Sequence, residues 1–135
     1  LTDILKDNFA RSPAFGSNSA LVVRGHPDVA VKTGTSNDLR DNWTVGYSPN
    51  VEVLVWVGNN DNSPMSHVVS GITGAAPIWN RIMSQILTNP KDEVWPIPAR
   101  IVGVNVCGKD EWFLSEKVPQ INCPKDENKD KENKK

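Results

Sequence analysis

The sequence predicts an α+β fold, an antiparallel sheet with helices packed on its faces. Three observations carry that reading. Residues 51–58 (VEVLVWVG) alternate with a period of two: Val51, Val53, Val55 and Val57 on one side, Leu54 and Trp56 on the other. Ser48-Pro49-Asn50 is a tight turn that joins this run to another strand, 43–47 (WTVGY), as an antiparallel hairpin. Residues 76–88 (APIWNRIMSQILT) have helical spacing instead, with Ile78, Ile82 and Ile86 at i, i+4 and i+8.

Taken in order, Leu1, Ile4 and Leu5 fit a short helix. Residues 11–19 (RSPAFGSNS) are turn-rich, and Leu21 to Val23 read as a short strand. A turn at 25–28 leads into a strand at 29–35 (VAVKTGT), marked by its β-branched residues. Residues 36–41 form a loop before the hairpin. The run 51–58 is apolar on both faces, which predicts a strand sandwiched between layers and not at an edge. Trp43 and Trp56 are then core residues. A polar surface loop spans 59–70. In the 76–88 helix Pro77 sits in the first turn, Trp79, Met83 and Leu87 flank the Ile stripe, and Asn89-Pro90 stops it. Trp79 reads as core.

The 135 residues suffice for one ordinary domain with a real core. Charged residues make up 23% and the net charge is −1, so there is no cationic excess to neutralise nucleic-acid phosphates. No apolar run reaches the roughly 18 residues of a membrane span. The chain starts at Leu1 and reads as a piece of something longer. Composition divides it into a globular part (1–89), a Pro-rich linker (90–98), a small appendage (99–123) with a strand-like run at Ile101, Val104 and Val106, and a tail (124–135). The tail has no apolar residue and reads as disordered. Without its five Lys and four acids, the rest holds 10 basic and 12 acidic residues, a mildly acidic body.

Cys107 and Cys123 are 16 positions apart, and His26 and His67 are remote from them. Two Cys are the wrong set for a zinc site, which takes about four ligands, and the two His are too remote in sequence from them and from each other to complete one. One disulfide or two free thiols remain open. Asn59 to Asn62 lack the spacing of a calcium loop. No metal and no organic cofactor are called for.

The chemistry is concentrated in Lys32-Thr33-Gly34-Thr35, inside VAVKTGTSND. On a pleated strand Lys32 and Gly34 share one side, Thr33 and Thr35 the other. A cation, two hydroxyls and a bare backbone within four residues suit an anionic ligand lying along the strand. The Thr35 N–H is then placed to face a developing oxyanion. Taken as a bare tetrapeptide, the same residues also describe a strand with one snorkelling Lys.

The blocks DNFARSPAFG, VAVKTGTSNDLRDNWTVGYSPN, VLVWVGNNDNSPM and GITGAAPIW extend the signal over residues 1–89. In order and spacing they resemble the C-terminal part of the transpeptidase domain of class A (bifunctional) penicillin-binding proteins, whose third signature element is Lys-Thr-Gly. Class A β-lactamases share that element but not the Asp-x-Trp-x-x-Gly-Tyr continuation. The resemblance implies the C-terminal portion of a penicillin-binding-protein/β-lactamase-like serine acyltransferase fold. It implies a D,D-transpeptidase that cross-links peptidoglycan stem peptides and is acylated by β-lactam antibiotics. Lys32, Thr33, Gly34 and Thr35 would bind the substrate carboxylate, and the Thr35 N–H would form half of the oxyanion hole. No Ser in the chain begins Ser-x-x-Lys, so the nucleophile and its Lys are absent. Ser48-x-Asn50 lies after Lys-Thr-Gly, where the family places its Ser-x-Asn element before it.

The isolated chain is therefore expected to be inactive and marginally stable, the parent to carry a membrane anchor and a glycosyltransferase domain. The site would face the outside of the bacterial cytoplasmic membrane, which implies pairing of Cys107 with Cys123. Residues 99–123 also resemble a short appendage that often follows this domain. A non-catalytic peptidoglycan- or partner-binding module on the same fold is the rival reading. Arg40 with Asp41 reads as a loop ion pair or turn, and His67 as a solvated residue or part of a groove rim.

Overall fold

The computed structural model describes residues 1–65, 72–88 and 94–123. His67, the Asn89-Pro90 stop, much of the linker and the charged tail lie outside the described residues. The chain divides into two units, Leu1–Trp95 and Pro96–Lys135.

The first unit opens with two short helices, α1 (Thr2–Lys6) and α2 (Asn8–Phe15). α2 occupies part of the segment expected to be turns. Asp7 caps it, accepting from the Ala10 N–H at 2.9 Å. Pro13 lacks the N–H that would bond the Phe9 carbonyl, and the Ser12 hydroxyl donates to that carbonyl instead at 2.9 Å. Gly16 (φ 83°) then turns the chain out of the helix. Neither helix buries a residue, which is why no amphipathic stripe announces α2.

Residues 21–23 form no strand. Their backbone is held by side chains: Asn80 Nδ2 donates to the Val22 carbonyl at 2.9 Å, and the Leu21 N–H bonds Ser19 Oγ at 3.4 Å. Leu21 and Val23 are buried anchors under this turn.

The sheet has strands β1 (Ala30–Thr35), β2 (Asp41–Tyr47) and β3 (Glu52–Gly58), in that order and antiparallel throughout. The register pairs Thr33 with Thr44, and Thr44 with Val55. One face therefore carries Val31, Thr33, Thr35, Asn42, Thr44, Gly46 and Val55. Helix α3 (Ala75–Ile86) packs on that face, burying Ala75, Ala76, Trp79 and Met83. Gly46 makes this approach possible: a Cβ there would lie 2.2 Å from Trp79 Cζ2.

Two expectations, for 51–58 and for Trp43 with Trp56, are corrected here. Among the described residues β3 is an edge strand and its second face is uncovered, with Leu54 58% and Trp56 41% exposed. Trp43, also 41% exposed, is not core. The Ile78–Ile82–Ile86 stripe points away from the sheet, because the Trp79–Met83 row lies on the contact side. Trp79 itself is fully buried.

The first unit closes at Trp95, whose indole donates to the Asp28 carbonyl at 2.7 Å and meets Tyr47 edge-on at 5.6 Å between ring centroids. Lys6 reaches the Asp28 carboxylate at 2.9 Å, tying α1 to the segment leading into β1. That bond raises the Lys6 pKa above its ordinary value, with smaller support from Asp3 and against partial desolvation.

The second unit is a hairpin of β4 (Ile101–Val106) and β5 (Lys109–Leu114), one strand more than the single run the sequence announced. Its two-residue turn has positive φ at both positions, Cys107 at 52° and Gly108 at 92°, as a type I′ turn requires. A disulfide joins Cys107 to Cys123, with Cα atoms 5.3 Å apart. No described residue of this unit is buried, so the cross-link rather than a core restrains it.

Candidate functional site

Among the described residues β1 pairs only with β2, so its other side is an open edge. The phase of the ladder decides what faces that edge. The Ser36 N–H donates to the Asp41 carbonyl at 2.9 Å, one step beyond the Thr35–Asn42 pair. Bonded and non-bonded pairs alternate in an antiparallel ladder. Thr35–Asn42 and Thr33–Thr44 are therefore the non-bonded pairs, and the backbone groups of Thr33 and Thr35 point outward. Lys32 Nζ donates to the Thr33 carbonyl at 2.6 Å, which agrees with that carbonyl lying on the open side.

Side chains divide as the pleat requires. Lys32 and Gly34 lie on the face shared with Trp43 and Trp56; Thr33 and Thr35 lie on the face of α3. Lys32 and Thr35 are exposed, Thr33 and Gly34 half-buried. A Cβ on Gly34 would meet only Trp43 Cβ, at 3.7 Å, so the approach to the backbone is open there. A cavity of about 250 Å³ adjoins the start of this edge, lined by Leu5, Asp7, Arg11, Phe15, Lys32 and Thr33 among others. Arg11 is held by the Leu5 carbonyl (2.8 Å) and Asn8 Oδ1 (3.2 Å). Burial lowers its guanidinium pKa, against the pull of Asp7.

The loop after β1 is shaped by Asp41. The Ser36 hydroxyl donates to Asp41 Oδ2 at 2.9 Å, and Trp56 Nε1 donates to Asp41 Oδ1 at 2.9 Å. Asp38 and Leu39 both take left-handed φ, 58° and 55°, inside this closed loop. Arg40 does not pair with Asp41; it donates to the Asn62 carbonyl. The expected ion pair is thus replaced by a carboxylate that fastens the loop to β3. The Met65 N–H adds a bond to the Leu39 carbonyl at 2.9 Å.

Sequence reasoning missed Asn42. It is fully buried between sheet and helix. Its Oδ1 accepts from the Ala75 N–H at 2.7 Å, and its Nδ2 donates to Thr35 Oγ1 at 3.3 Å. The signal was present: a polar residue at every second position of β2 (Asn42, Thr44) facing the same side as Gly46.

No protein-family model matches the chain. The chain is 33% identical to penicillin-binding protein 1A of Clostridium tetani over 132 residues, covering 93% of the chain and 15% of that protein. It is 31% identical to penicillin-binding protein 1A of Neisseria meningitidis serogroup A (76% of the chain, 12% of that protein). The Aquifex aeolicus protein of the same name is 37% identical over 82 residues (61% and 11%). The fold matches the crystal structure of penicillin-binding protein 1A from Haemophilus influenzae with a TM-score of 0.65, at 24% identity, over 73% of the chain and 16% of that structure. The chain belongs to the penicillin-binding protein family. The relatives it matches are the 1A members, and it spans 11–15% of the length of the three curated proteins above.

Proposed function

We propose that the chain is the carboxylate-binding part of a peptidoglycan D,D-transpeptidase. The observation that carries this reading is the position of Lys32-Thr33-Gly34-Thr35 on an open strand edge, with the backbone of Thr33 and Thr35 turned outward. A stem peptide ending in D-Ala-D-Ala lies along that edge. Lys32 and the hydroxyls of Thr33 and Thr35 hold its terminal carboxylate.

A serine outside this chain attacks the penultimate D-Ala carbonyl, and its proton passes to a neighbouring base. Collapse of the tetrahedral intermediate forms the acyl-enzyme and expels terminal D-Ala, which takes up a proton as it leaves. An amine of a second strand then displaces the serine, forming the cross-link. The Thr35 N–H supplies one of the two donors to the oxyanion, and the nucleophile's own N–H supplies the other. β-Lactams acylate the same serine because their carboxylate and strained amide present the same pattern. In this proposal the parent protein also carries the glycosyltransferase domain and membrane anchor, and works on the outer side of the cytoplasmic membrane. Among the described residues no helix is long and apolar enough to cross a membrane.

Intact mass after incubation with benzylpenicillin tests the reading, run on residues 1–135 beside the product of the complete reading frame. An adduct only on the longer protein is the expected result. No adduct on either favours a non-catalytic binding module, and an adduct on the short chain refutes an external nucleophile.

A further inference from the structure

We infer that Arg11 is a second cationic contact for the ligand's terminal carboxylate, beside Lys32, an inference that rests on the carboxylate-binding reading of the edge strand.

The cavity of about 250 Å³ at the start of that edge brings the two cations together. Arg11 from α2 and Lys32 with Thr33 from β1 line the same space. Phe15, Leu21 and Val31 supply apolar walls, and Leu21 and Val31 are buried. Lys32 and Thr33 are residues that the proposed function sets against the carboxylate. The cavity therefore adjoins the place where that carboxylate lies, and Arg11 borders it from the side opposite the strand.

Charge is the second observation. Arg11 is half-buried. Its Nε donates to Asn8 Oδ1 at 3.2 Å and its Nη1 to the Leu5 carbonyl at 2.8 Å. Both acceptors are neutral, so they aim the guanidinium without balancing its charge. Among the described residues Arg11 forms no ion pair, and Nη2 makes no hydrogen bond. Asp7 is the one acid lining the cavity, and its Oδ1 already accepts from the Ala10 N–H. Burial outweighs the attraction of Asp7, so the guanidinium pKa is lowered. A cation that has lost water without gaining a counter-ion is costly, and a second cation on the same cavity adds to that cost. An anion placed between Arg11 and Lys32 relieves both, and Nη2 keeps its donors for it.

The plain alternative is a staple, because Arg11 ties Leu5 of α1 to Asn8 of α2. A staple needs donors only, which an uncharged amide supplies as well. It does not need a charge carried into an apolar cavity.

The test compares acylation of the product of the complete reading frame by benzylpenicillin and by its methyl ester. The two probes share the reactive ring and differ in the carboxylate. Their rate ratio within one sample is independent of the fraction of protein that is folded. Arg11→Gln keeps an amide donor and removes the charge. Arg11→Lys keeps the charge and removes the planar fork. In R11Q the benzylpenicillin rate falls about tenfold, on the scale of one hydrogen bond to a charged group, and the methyl ester rate does not change. In R11K the fall is about threefold, because a point charge remains without the fork.

Equal losses for both probes in R11Q would make Arg11 a staple only and overturn the inference. So would an unchanged ratio, or a ratio that falls as far in R11K as in R11Q. If the unsubstituted protein reacts with neither probe, or equally with both, the carboxylate-binding reading itself fails, and this inference with it.

Discussion

Replacing Gly46 by alanine tests the packing that holds the edge strand in place. Gly46 lies in β2 under the indole of Trp79. An added Cβ would sit 2.2 Å from Trp79 Cζ2, 2.7 Å from Cε2 and 2.9 Å from the Ala30 carbonyl oxygen. Ordinary carbon contacts lie at about 3.5–4.0 Å, so the ring must move by more than an ångström. Trp79 is fully buried. The Ala30 carbonyl of the paired strand β1 closes off the Cβ from its other side. Overpacking of this kind costs roughly 1–3 kcal/mol, and the simultaneous clash with ring and backbone puts Gly46→Ala at the upper end, about 3 kcal/mol. That is a large share of a total stability of about 5–15 kcal/mol. Urea unfolding followed by far-UV circular dichroism measures it. The double variant with Trp79→Leu, which lacks both clashing ring atoms, should lose less than the sum of the single losses. Trp79 Nε1 is buried without a hydrogen-bond partner among the described residues, so Leu does not orphan a polar group. A G46A midpoint within about 0.5 kcal/mol of the parent, or strict additivity in the double variant, would refute the reasoning.

Three further outcomes follow from the same geometry. Reducing the disulfide releases a 16-residue separation, worth roughly 3 kcal/mol on the loop-closure estimate; amide exchange within Ile101–Leu114 should accelerate sharply on reduction, and unchanged protection would show that the hairpin stands alone. The Lys6 pKa is raised by Asp28, so the pair's stabilisation is full below the unfolded lysine pKa of about 10.4 and is lost as pH climbs through the folded value; for so exposed a pair the loss is under about 1 kcal/mol, and Asp28→Asn should abolish that alkaline difference. Thr35→Pro removes the hydroxyl together with an N–H that faces the open edge rather than the ladder, so the strand tolerates it, but the lost oxyanion donor by itself should slow penicillin acylation by roughly 3–4 kcal/mol of barrier; an unchanged rate would remove both the Thr35 N–H and its hydroxyl from the mechanism.

Strands β1 to β4, the hairpin turn and helix α3 were legible because each rests on local rules: β-branched or period-two apolar runs, a Pro-containing turn, helical spacing up to Ile86. Helix α2 was not. Its capping depends on Asp7 reaching Ala10 and Ser12 substituting for the N–H that Pro13 lacks, and its residues read as turn formers one at a time. The nature of the candidate site was legible in Lys32-Thr33-Gly34-Thr35. Its setting was not, because the open edge is a property of pairing, and Asn42 is connected to Ala75 across 33 positions.

The misreading of Trp43, Trp56 and β3 has a single physical cause. An apolar side chain states that cover is favourable, not where the cover comes from. On the α3 side the sheet offers Asn42, Thr44 and Gly46, all buried, because a large indole needs a flat, small-residue floor and a helix start needs an acceptor. On the other side it offers Trp43, Leu54 and Trp56, which the described residues leave at 41%, 58% and 41% exposure. Hydrophobicity alone ranks these two faces in the wrong order. Trp56 is nevertheless fixed, its indole N–H on Asp41 and its ring tilted against Trp43 at 6.3 Å. Asp41 in turn holds Ser36, the residue after Thr35. The exposed aromatic face and the open β1 edge are thus connected through one carboxylate, so a perturbation of either should register at the other.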